Sequence, residues 1–105
     1  MIAAVALLIA SSARAGNDLK TRLTKASKGV DELAVLVSKA ETRDEADYLG
    51  KIAKLNLEKA LDGQEVVIQV KGLPGYCHIM IYSTEWSMWT MAKKGKVSEH
   101  GLKVN

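Results

Sequence analysis

The chain opens with an apolar run, Met1 to Ala10, which closes on Ser11-Ser12 and Ala13-Arg14-Ala15-Gly16. Small residues at the −3 and −1 positions of an A-x-A site after such a run are the layout of a secretory signal peptide, although the first residues carry no Lys or Arg. As a helix, Met1 to Ala13 reaches only about 20 Å, short of the ~30 Å hydrocarbon core of a bilayer. The sequence therefore predicts a cleaved signal over residues 1–15, with a retained apolar N-terminal helix, shallow in a membrane or buried in the core, as the alternative. Residues 16–105 form one small domain.

Beyond this segment, apolar residues recur at Leu19, Leu23, Ala26, Val30, Leu33, Val37 and Ala40. Alternating steps of four and three are a heptad-like seam, which predicts an amphipathic helix with Lys20, Lys25, Lys28 and Lys39 off the seam. The run Leu33 to Val37 is apolar on every side; it also admits a short strand. A second helix is expected from Thr42, where Thr42-Arg43-Asp44-Glu45 fits a capping box and Asp44 and Asp47 suit the positive end of the helix dipole. It continues on Ala46, Leu49, Ile52, Ala53, Leu57, Ala60 and Leu61 and stops at Gly63. Continued past Ala40, the first seam would meet Asp44 and Asp47, so two helices in an antiparallel hairpin are expected instead of one rod.

From Glu65 the period changes to two. Glu65 to Lys71 and Tyr76 to Tyr82 alternate as strands around the turn Gly72-Leu73-Pro74-Gly75. With all four turn residues as the loop, Lys71 opposes Tyr76, and Val70–Cys77, Ile68–Ile79 and Val66–Ile81 share one apolar face. The other face pairs Lys71–Tyr76, Gln69–His78, Val67–Met80 and Glu65–Tyr82; a slip by one residue would mix the two sets. Trp86 to Ala92 reads as a third strand behind the loop Ser83-Thr84-Glu85. This places Trp89 and Met91 on the apolar face, and Trp86, Met88 and Thr90 on the other. A helix over Thr84 to Lys94 is the competing reading and would put both tryptophans on one side. Lys93 to Lys96 reads as a turn, and Val97 to Asn105 as a tail or a short last strand. The fold class is thus α+β: an N-terminal helical hairpin followed by a small antiparallel β meander.

Composition adds limits. The 105 residues carry a net charge of +3, too mild to signal nucleic acid, and a single cysteine, Cys77, so no intrachain disulfide forms. Cys77 and His78 adjoin, but neighbours on a strand point to opposite faces and cannot act as nucleophile and base. Cys77, His78, Glu99 and His100 have none of the spacings of metal sites, and no phosphate-binding glycine motif occurs. No cofactor, metal or catalytic residue is therefore expected.

The candidate site is the second sheet face, Tyr76, His78, Met80, Tyr82, Trp86 and Met88. Tyr, Trp and Met with few charges are the make-up of a protein contact surface, although the same residues also suit a core. The expected function is an exported, non-enzymatic protein-binding domain of inhibitor, immunity or adaptor type, periplasmic or extracellular. Its partner would be another protein or a second copy. The alternative is a structural subunit of a membrane-associated or virion assembly that keeps residues 1–13 as a helix.

Overall fold

The computed structural model describes residues 16–105, so the signal-or-anchor reading of residues 1–15 lies outside the described residues. Two helices, α1 (Gly16–Ser38) and α2 (Arg43–Ala60), precede four strands: β1 (Val67–Leu73), β2 (Tyr76–Tyr82), β3 (Trp86–Lys93) and β4 (Lys96–Val104). The strands form one antiparallel sheet in the order β1-β2-β3-β4. This is the α+β class expected, a helical pair followed by a β meander. The last segment is a full strand, not a tail.

The seam of α1 is the core stripe: Leu23, Ala26, Val30, Leu33 and Val37 are buried, with Ala34 beside them, and Leu19 is packed against their edge. Both helices lie on one face of the sheet. α1 crosses β2, β3 and β4, α2 covers β1, and each meets the sheet more extensively than it meets the other helix. Leu57, Ile79, Ile81 and Met88 complete the core between the layers. No helix among the described residues is long and apolar enough to cross a membrane.

Thr42 caps α2 as its residue type predicts, accepting the Glu45 N–H at 3.1 Å. The Glu45 carboxylate reaches back one residue further than a strict capping box and accepts the Glu41 N–H at 2.9 Å. The end of α1 is fastened to two hairpin turns. The buried Ser38 hydroxyl donates to Val35 O at 2.8 Å and accepts Gly95 N–H at 2.9 Å, and Gly75 N–H donates to Ala40 O at 3.0 Å.

The registers differ from those expected in two ways. Between β1 and β2 the turn is Pro74-Gly75 alone, and Leu73 opposes Tyr76. Pro followed by Gly at φ 75° suits a type II turn, and Gly72 and Leu73 are released into the ladder. This shift of two residues changes partners but not faces. Between β2 and β3 the shift is one residue: Tyr82 opposes Ser87, and Ser83 N–H donates to Trp86 O at 2.8 Å. The Ser83 hydroxyl accepts both Glu85 N–H and Trp86 N–H at 3.1 Å, a hydroxyl-braced turn that needs no glycine. A one-residue shift inverts every side chain of β3. Trp86, Met88, Thr90 and Ala92 therefore face the helices and are buried, whereas Ser87, Trp89 and Met91 face outward. β3 and β4 meet at Lys94-Gly95, both at positive φ (49° and 83°), the signature of a type I′ hairpin turn. Ser98 is a bulge between the pairs Ala92–Val97 and Met91–Glu99, and its hydroxyl donates to Met91 O at 3.1 Å.

Candidate functional site

The outer face of the sheet carries the larger of two candidate features. Alternation along β2 places Tyr76, His78, Met80 and Tyr82 there, opposite in sense to the buried Cys77, Ile79 and Ile81. β3 adds Ser87, Trp89 and Met91 through the pairs Tyr82–Ser87, Met80–Trp89 and His78–Met91. β1 adds Gln69 and Lys71 beside Met80 and His78. The aromatic, methionine and histidine side chains are half-buried, resting on one another and on the sheet, with no second layer over them among the described residues.

Four of the six residues expected at this face are on it: Tyr76, His78, Met80 and Tyr82. Trp86 and Met88 are not. They are core residues, at 5% and 0% exposure, because the Ser83 turn sets the register one residue away from the expected one. Thr90, expected beside His78, is likewise turned inward. Trp89 and Met91 occupy the outer positions instead. A signal for this lay in β4. Gly101 faces Trp89 across the ladder, and a Cβ at Gly101 would overlap the six-membered ring of the Trp89 indole. The indole lies across the bare glycine, a pairing that supplies packing where the glycine has none.

The edge of this face is basic. Lys71, Lys93, Lys96 and Lys103 lie at outer positions or turns around it, and Glu99 is the one carboxylate among the outward residues of β4. The result is an apolar, polarizable centre inside a mainly positive rim.

Cys77 sits on the inner face, pointing away from His78. Burial pushes its thiol up to about 12, which keeps it protonated and a poor nucleophile at neutral pH. No group of three His, Cys, Asp or Glu side chains that could hold a metal ion occurs among the described residues.

A second feature lies on the helix side of the sheet and has no counterpart in the sequence pattern. Asp31 of α1 accepts a hydrogen bond from the Thr90 hydroxyl at 2.5 Å, and its second oxygen lies 2.9 Å from His100 Nδ1. Thr90 is fully buried, whereas the His100 side chain is 57% exposed. The cleft beside them, about 240 Å3, is lined by Thr24, Ser27, Lys28 and Asp31 of α1 and by His100, Gly101 and Leu102 of β4. No local motif announces this group, because its members are 59 and 69 residues apart.

No protein-family model matches the chain, no curated protein matches its sequence, and no solved structure matches its fold.

Proposed function

We propose that the protein is a non-catalytic binding domain that engages another protein through the outer sheet face. The supporting observation is the cluster of Tyr76, His78, Met80, Tyr82, Trp89 and Met91, which no layer among the described residues covers, within a lysine-rich rim. Aromatic and methionine side chains are the residues that concentrate binding energy at the centre of interfaces, while charged rims set partner choice and encounter rate. The rim selects against a symmetric contact, in which lysines would face lysines, and favours a partner with an apolar centre bordered by Asp and Glu. The segment Met1 to Gly16 supports export as the setting for that partner, and an intact mass beginning at Gly16 in material from the native cell tests this part.

The test of the face is a photocrosslinking amino acid at Met91, combined with sedimentation of the unmodified chain. The expected result is a monomer alone and, in the native cell, one discrete crosslinked species that disappears in the charge-reversal variant Lys71→Glu/Lys93→Glu and in Tyr82→Ala/Trp89→Ala. A purified chain that dimerises, and becomes monomeric in the Tyr82→Ala/Trp89→Ala variant, would make the partner a second copy. Crosslinks that survive both variants would refute the assignment of this face.

A further inference from the structure

The Asp31–Thr90–His100 group orders an imidazole without burying it. A carboxylate only accepts, so His100 Nδ1 carries the hydrogen it shares with Asp31. The other Asp31 oxygen is held by Thr90, a buried side chain on a central strand. The ring is thereby fixed at one nitrogen, while Nε2 has no partner among the described residues. An exposed pair of this kind contributes little to stability, which does not by itself account for the arrangement. Fixing one ring nitrogen through a braced carboxylate is the means by which a histidine is oriented toward a ligand at the other.

The rest of the cleft supplies matching groups. Thr24, Ser27, Lys28 and Asp31 follow helical spacing and so form one stripe along α1. Neither the Ser27 hydroxyl nor the Lys28 ammonium has a partner among the described residues, whereas the Thr24 hydroxyl is taken up by Lys20 O at 2.8 Å. Asp31 is the carboxylate lining the cleft and is engaged by Thr90 and His100, whereas the Lys28 ammonium is left without a partner among the described residues. Leu102 adds an apolar side chain to the lining, beside the backbone of Gly101. About 240 Å3 is below the size of a drug-like pocket and fits a small ligand.

We infer that this cleft is a binding site for a small ligand bearing an oxyanion, carboxylate or phosphate. Lys28 pairs with the charged oxygens, joined by the Nε2–H of His100 when the ring is the imidazolium, Ser27 donates its hydroxyl, and any short apolar stem lies on Leu102. The site is on the helix side of the sheet and is independent of the outer face. Failure of one reading therefore leaves the other standing.

The two histidines allow a direct test, because His78 lies on the outer face and serves as the internal control. The full chain is titrated at constant ionic strength with inorganic phosphate, and separately with butyrate, while the imidazole C–H signals are followed by NMR. The expected result is a saturable shift of His100 with His78 unmoved. Affinity should fall by about tenfold in Lys28→Ala, the loss of one charge-assisted contact, and stay unchanged in Lys25→Ala on the same helix. Saturation by both probes identifies the shared oxyanion as the recognised group; saturation by phosphate alone assigns a phosphoryl ligand, and by butyrate alone a carboxylate with a stem. Absence of saturation with both probes, or equal affinity in Lys28→Ala, would overturn the inference.

Discussion

The two faces of the sheet are made by the same strands and differ in what they rest on. The inner face (Cys77, Ile79, Ile81, Trp86, Met88, Thr90 and Ala92) is sealed by α1 and α2, and each of these residues is buried. The outer face (Tyr76, His78, Met80, Tyr82, Trp89 and Met91) is as rich in large side chains but only half-buried. The contrast is sharpest at the tryptophans. Trp86 and Trp89 are three residues apart on one strand, yet one is core and the other is surface. Large apolar residues alone therefore do not identify a core; the covering layer does. Trp and Met occur on both faces, so these types do not separate the two; along β2 the outer face differs from the inner in carrying Tyr, His and Met in place of Cys and Ile.

Substitutions at this pair test the contrast most strongly. Trp86→Ala should cost about 3–5 kcal/mol, because it leaves a cavity under the helices. The loss should appear as a lower urea midpoint with an unchanged slope. If Trp86→Ala is as mild as an exposed substitution, β3 does not hold the register that turns Trp86 toward the helices. Gly101→Val should cost about 1–3 kcal/mol by driving the Trp89 ring off the strand, and the indole fluorescence should shift to the red as it becomes wetter. In the double variant Gly101→Val/Trp89→Ala the clash is gone, so the two effects should not add.

A smaller effect belongs to Cys77. Its folded thiol titrates near 12 against an ordinary 9.0, so the folded chain holds its proton where the unfolded chain has lost it. The stabilising contribution is therefore complete below pH 9 and is lost as pH rises from 9 toward 12, by up to about 1.4 kcal/mol per pH unit. Comparing the wild type with Cys77→Ala between pH 8 and pH 10 isolates this slope from the lysines and tyrosines. A thiol reagent should label the chain at pH 8 only after denaturation; rapid native labelling would contradict the burial of Cys77. The smallest change in stability is expected for Trp89→Ala, about 1 kcal/mol, since its side chain is only partly buried and no layer among the described residues covers it. Its consequence should instead be read in association, and a large loss of stability would mark the outer face as structural.

How far the sequence alone reached depended on the range of the interactions involved. The stripe from Leu19 to Ala40, the Thr42 cap, and the division of β2 into inner Cys77, Ile79 and Ile81 and outer Tyr76, His78, Met80 and Tyr82 were legible. Each follows from a local period or a bond spanning a few residues. The β1–β2 partners shifted by two residues without consequence, since the period of a strand is two. β3 was different. Its alternation WSMWTMA offers a Trp and a Met to either face, so periodicity alone could not choose between them. The choice was made by the Ser83 hydroxyl bracing a shorter turn, and by Gly101 leaving room for Trp89 on the next strand.

The sequence by itself therefore determined the two helices, the first two strands, their order and the two faces of β2, because these depend on residues that are neighbours along the chain; it left Thr84 to Lys94 open between strand and helix and Val97 to Asn105 open between tail and strand. Tertiary structure, through the pairing of Trp89 with Gly101 and together with the local Ser83 turn, decided that Trp89 and Met91, not Trp86 and Met88, complete the outer face. It alone also brought Asp31, Thr90 and His100 together, since such contacts exist only once a helix and two strands have packed and no local pattern encodes their distance.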